Sequence, residues 1–127
     1  MKAIDRIGDE PRFAAKLLFQ FRVEIGGISN VMRLCEERIV SFTARSARSA
    51  LTKAKARGKR AEHRYPNGDG ATVHFEFVGV LELMHLGVEC DSDEVWYDII
   101  QRKRPMERAS EILPSEGSLR ALRTLGE

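Results

Sequence analysis

The sequence is short of cysteine, proline and tryptophan, with two, four and one respectively, and it has no long apolar run. Cys35 and Cys90 are too few and too far apart for a disulfide framework, and neither belongs to a close pair of the kind a zinc knuckle needs. No stretch approaches the roughly 20 apolar residues of a spanning helix. The opening residues, MKAIDRIGDE, lack the apolar centre of a signal peptide, so the expected location is the cytoplasm. Hydrophobic residues make up 43% and charged residues 31% of the 127 positions, which excludes wholesale disorder and fibrous classes. That length holds one core, and the expected organisation is a loose leader over 1–11, one domain over 12–104 and an extension over 105–127.

What the chain does have is charge separated along its length. Between Arg45 and Arg64 stand eight basic residues against the single acid Glu62, a net of +7. The whole chain carries +2, so the remainder sums to −5. Such a separation calls for an acidic partner, or for acidic loops of the same protein or of a second copy.

The first strong pattern is Arg12 to Glu24, where Phe13, Ala15, Leu17, Phe19, Phe21 and Val23 alternate with more polar neighbours, as on a half-buried strand. Gly26-Gly27 and Ser29-Asn30 supply turn chemistry, so Met32 to Ala44 is expected to return beside it. Alternation in that return strand is imperfect, and a bulge near Glu36-Glu37 would repair it. Ser46 or Thr43 then caps a helix running to Arg64, with Ala47, Ala50, Leu51, Ala54, Gly58, Ala61 and Tyr65 on one narrow stripe. Gly58 costs about 1 kcal/mol relative to alanine in a helix interior and marks a place to bend or fray.

Pro66-Asn67-Gly68-Asp69-Gly70 ends that helix. Thr72 to Leu83 follows as a strand with Val73, Phe75, Phe77, Gly79, Leu81 and Leu83 on one face and His74, Glu76, Val78, Val80 and Glu82 on the other. Val95 to Arg102 reads as a fourth strand, and Met106 to Leu113 as a short helix between Pro105 and Pro114. The predicted fold is α+β: two layers, a four-stranded mainly antiparallel sheet in the order β-β-α-β-β, with one long helix across one face. The other face carries Leu18, Ile39, Val78, Val80 and Trp96, an apolar set that suggests a homodimer or protein interface.

The stretches Ala15-Lys16-Leu17-Leu18-Phe19, Glu36 to Ala44, Phe75 to Leu81 and Glu94-Val95-Trp96-Tyr97 resemble the bacterial family catalogued as domain of unknown function 4288, over roughly residues 12 to 102. The resemblance rests on hydrophobic strand patterns and implies a small bacterial cytoplasmic domain. It carries no catalytic residues across.

No residue set forms a catalytic or metal constellation, and no cofactor is expected. His74 and Glu76, two apart on one strand face, supply two ligands or an acid-base pair at most, which leaves an enzyme with a site around His74 as the weakest reading. The basic helix is the loudest feature. Arg48, Lys55 and Lys59 lie along one side of its solvent arc, and Lys53, Arg57, Arg60 and Arg64 along the other. A solvated face whose late charges oppose the helix dipole accounts for such a stripe. It also suits an acidic protein partner, or the phosphates of a nucleic acid, although no stacking aromatics interrupt it. The reading that follows is a non-enzymatic interaction domain, self-associating or binding a protein through the sheet face or the helix, with a nucleic-acid-binding module as the alternative.

Overall fold

The computed structural model describes residues 10–87 and 93–123, so Cys90, most of the leader and most of the acidic loop after Gly87 lie outside the described residues. Contacts divide the chain into two units, one ending at Tyr97 and the other beginning at Asp98. The first unit holds an antiparallel sheet and one long helix. Its elements are β1 (Arg12–Ile25), β2 (Ile28–Ser29), β3 (Leu34–Thr43), α1 (Ala47–Ala61), β4 (His63–Pro66) and β5 (Thr72–His85).

β1 is the centre of the sheet. One of its edges pairs β3 from Arg12 to Phe21 and then β2 at Glu24 and Ile25; the other pairs β5. β4 adds to β5 through His63↔Phe75 to Pro66↔Thr72. The first hairpin turns on Gly26 and Gly27, at φ of 57° and 83°. Positive φ at both central residues gives the turn whose twist matches the strands, and glycine adopts it without a Cβ penalty. Beyond β2 the Asn30 carboxamide takes the place of a strand residue: its Oδ1 accepts from Val23 N at 2.8 Å and its Nδ2 donates to Met32 O at 2.8 Å.

α1 starts where the sequence places it, with Ser46 Oγ accepting from Ser49 N at 3.1 Å. Its buried residues are Ala50, Ala54 and Gly58, all small, so the helix axis comes close to the sheet and the phenylalanines supply the volume. The core joins Ala15, Leu17, Phe19, Val40, Ala54 and Phe75, with Phe21, Phe42, Phe77, Val80 and Leu83 packed around them. Phe13, Ala44 and Ala50 close one end. No charged or polar residue is buried among the described residues.

Four expectations about elements are corrected. The helix stops at Ala61: Glu62 takes φ −62° and ψ 138°, and Arg64 and Tyr65 belong to β4 instead of to the helix. Pro66 disfavours helical geometry at the residue before it, and the Glu62 carboxylate accepts from Phe77 N at 3.0 Å, tying the chain to β5 at once. No strand forms over 95–102; the place beside β5 is held by β4, which precedes it in the chain.

β3 runs against β1 without a bulge at Glu36-Glu37, so Arg38 stays on the helix-facing side. Its guanidinium lies 4.7 Å from the Phe19 ring centre and 5.6 Å from that of Phe75, covering aromatic faces that α1 leaves open. The irregularities fall in β5 instead. The register shifts between Leu18↔Gly79 and Phe19↔Phe77, and again between Lys16↔Glu82 and Leu17↔Val80. Between these two bulges the alternation is inverted: Val80 packs on the core and Leu81 is exposed.

After β5, Leu86 is buried with Ala14 on the face away from α1, and Met84 and Trp96 pack on them. Lys16 Nζ stands 5.3 Å from the centre of the Trp96 ring. The second unit contains two single-turn helices, α2 (Ala109–Ile112) and α3 (Arg120–Arg123), with a 3-10 turn over Glu116–Ser118. Pro105, Met106, Ala109, Ile112 and Leu113 line an apolar hollow of about 300 Å³ within it.

Candidate macromolecule-binding cleft

The spacing of α1 decides where its charges go. Ala50, Ala54 and Gly58 face the sheet, so Lys53, Arg57 and Arg60, at steps of four and three, form a row along one flank. α1 packs on β5 and β1. The helix-facing side of β3 is therefore covered only in part: Val40 is buried in the core, while Phe42 is half-buried beside the helix. The result is a cleft of about 410 Å³ lined by Phe42, Thr43, Lys53, Ala56, Arg57 and Arg60.

Lys53 is anchored in it. Its Nζ donates to Thr43 O at 2.8 Å and lies 3.9 Å from Glu10 Oε1. Arg57 and Arg60 are exposed and have no acidic partner among the described residues. Lys53, Arg57 and Arg60 thus line one concave surface together with Phe42. The cleft joins charge attraction to apolar contact, a combination that a convex solvated face lacks.

The other basic residues do not share this cleft. Arg48, Lys55 and Lys59 are exposed elsewhere on α1, Lys59 with its Nζ 3.9 Å from Glu62 Oε2. Arg64, carried away by β4, lines a separate hollow of about 250 Å³ with Glu62, His63, His74, Phe75 and Glu76. Sequence periodicity found Lys53, Arg57 and Arg60 but missed Phe42 and Thr43. Those two come from β3, and only the placement of α1 over β1 and β5 brings them together with the cations.

The sheet face away from α1 is more polar than strand parity suggests. Of the five residues assigned to it, Val80 belongs to the core instead; Trp96 lies on this face, packed on the Ala14–Leu86 cluster, Leu18 is half-buried, and Ile39 and Val78 are exposed. Its centre is an ion-paired network. Arg22 donates from Nε to Glu76 Oε1 at 2.9 Å and from Nη2 to Glu76 Oε2 at 2.8 Å, while Gln20 Nε2 donates to Glu76 Oε1 at 2.9 Å. Arg22 Nη1 also donates to Ser29 Oγ at 2.9 Å, and Arg33 Nη1 donates to Gln20 Oε1 at 3.1 Å. His74 Nε2 and Glu24 Oε1 are 2.8 Å apart. His74 and Glu76 therefore do not pair with each other. No group of three or more His, Cys, Asp or Glu side chains suited to a metal ion occurs among the described residues.

The Arg22 hydrogen bonds, helped by that of Gln20, hold the Glu76 carboxyl at about 2, against an ordinary 4.5. The bond to Glu76 raises the Arg22 guanidinium in return. A carboxylate depressed in the folded state contributes stability above its unfolded value, and that stability drains away as pH falls from 4.5 towards 2. Glu76→Gln is expected to cost about 1 kcal/mol at neutral pH, solvent screening of this half-exposed pair included. It should also flatten the denaturant-midpoint curve between pH 4.5 and 2 relative to the unaltered protein.

The family model described as Domain of unknown function (DUF4288) matches residues 12–95, a span that takes in α1 and every strand among the described residues. Among curated proteins, and among solved structures, none matches.

Proposed function

We start from a chain that belongs to the DUF4288 family, and we propose that it is a non-enzymatic interaction domain whose cleft between α1 and β3 binds an acidic segment of a partner protein. One observation carries this reading: Lys53, Arg57 and Arg60 line one concave surface with Phe42. A solvated charge stripe needs no hollow and no aromatic floor. A partner offering carboxylates with apolar neighbours satisfies both halves of the cleft.

Equilibrium titration by fluorescence anisotropy tests it, with a labelled peptide rich in glutamate and, separately, a labelled single-stranded oligonucleotide. The peptide is expected to bind, to weaken as salt rises, and to lose about tenfold or more in affinity to the double variant Arg57→Glu, Arg60→Glu. Circular dichroism of that variant should be unchanged, because both side chains are exposed. Binding of the oligonucleotide alone, or peptide binding indifferent to the charge reversal, overturns the reading.

A further inference from the structure

We infer that the acidic segment binds as an added strand on the outer edge of β3, with its acidic side chains at every second position. This deepens the acidic-partner reading and rests on it. The direction of the backbone groups is the first argument. Ala44 N donates to Pro11 O at 3.0 Å, and Leu86 N donates to Arg12 O at 2.8 Å. Strand alternation then turns the even-numbered residues of β3 towards β1 and the odd-numbered ones outward. Thr43 O agrees, since it points outward to Lys53 Nζ. Cys35, Glu37, Ile39 and Ser41 thus present their amide and carbonyl groups along an edge that no strand pairs among the described residues.

The cleft beside that edge is the second argument. A strand added about 4.8 Å outside β3 places alternate side chains on the helix-facing side, about 6.8 Å apart. There they extend the floor made by Phe42 and face Lys53, Arg57 and Arg60. Those three positions span roughly 10 Å of helix at 1.5 Å per residue. Two or three acidic side chains on one added strand match that row in length and sign.

The two halves of the edge also differ. Glu36, Glu37 and Arg38 place charges on the half nearer β2, where charges discourage edge pairing. From Ile39 to Thr43 the side chains are Ile, Val, Ser, Phe and Thr; the charges on the cleft side belong to α1, and at the Thr43 end Glu10 Oε1 accepts from Thr43 Oγ1 at 3.2 Å. The added strand therefore pairs Ile39 and Ser41, stopping short of Thr43, whose carbonyl accepts from Lys53 Nζ. Main-chain hydrogen bonds supply sequence-tolerant affinity, and the cations select acidic side chains at alternate positions.

The test uses the intact protein and a short labelled peptide alternating glutamate and valine. One control peptide replaces glutamate by lysine, and another carries N-methyl groups on the backbone nitrogens of one edge, which keeps the charge and removes the donors. The alternating peptide is expected to bind, to slow amide hydrogen exchange at Ile39 and Ser41 about tenfold or more, and to lose about tenfold in affinity on N-methylation. The lysine peptide should not bind. If charge reversal at Arg57 and Arg60 abolishes binding while exchange at Ile39 and Ser41 is unmoved and the N-methylated peptide binds equally well, strand addition is overturned and the acidic-partner reading stands. If binding ignores the charge reversal, the acidic-partner reading falls and this inference with it.

Discussion

Gly58→Ala is expected to lower the stability of the domain by about 2 kcal/mol, although the same change in an exposed helix raises it by about 1 kcal/mol. A Cβ at position 58 would stand well inside 3.0 Å of three atoms of the Phe77 ring. That ring is half-buried and packs 5.6 Å from Phe19, centre to centre, so moving it aside gives up contact with the core. Either the ring leaves its place or α1 lifts off β5, and both sacrifice buried apolar contact. Denaturant titration checks the sign. The double variant Gly58→Ala, Phe77→Leu should recover part of the loss, because the two positions share one contact and their effects do not add. An increase in stability on Gly58→Ala would show that the helix does not sit this close to the sheet.

A larger loss is expected from Phe19→Ala, about 4 kcal/mol. Phe19 is fully buried in β1, stacks on Phe75 at 4.6 Å and meets Phe77 at 5.6 Å. The Arg38 guanidinium lies against both rings, 4.7 Å from the centre of Phe19 and 5.6 Å from that of Phe75. Truncation removes the apolar contact and leaves a cavity that three anchored neighbours refill only in part. It also strips the guanidinium of one of its two aromatic supports. Against the 5–15 kcal/mol that hold typical domains folded, a loss of about 4 lowers the melting temperature by many degrees. Thermal denaturation followed by circular dichroism measures it. Phe19→Leu keeps most of the volume and should cost about 1.5 kcal/mol. A melting temperature unmoved by Phe19→Ala would mean that the Phe19–Phe75 stack is not the centre of the core.

Much of this arrangement is written in the sequence. The period-two run of β1, the cap at Ser46 and the small-residue stripe of α1 each reflect one local rule acting alone, and each stands where that rule puts it. The misplacements occur where two rules compete. Tyr65 lies four residues beyond Ala61 and so fits the helical stripe, yet Pro66 and the bond from Phe77 N to Glu62 settle that stretch as β4. The apolar residues Val78, Val80 and Leu81 leave strand parity undetermined, so the bulges of β5 are invisible until β1 is laid beside it. Arg38 breaks the alternation of β3 because a flat cation over aromatic rings satisfies an inward position as an apolar side chain would. As for the cleft, its cations were legible on one helix, whereas its floor needs the relation between that helix and a strand it covers only in part.

Trp96 gives the first unit a built-in optical signal. It is the sole tryptophan of the chain, and its indole Nε1 is buried with no acceptor among the described residues. Indole emission moves to longer wavelength when water relaxes around the excited ring. Trp96 packs where the segment after β5 returns over Ala14 and Leu86, so the colour of its light reports that return and not the state of the helix on the opposite face. Fluorescence and far-ultraviolet circular dichroism therefore watch the two faces of one sheet. Any ligand that enters beside α1 can be scored for its reach across the sheet without a dye.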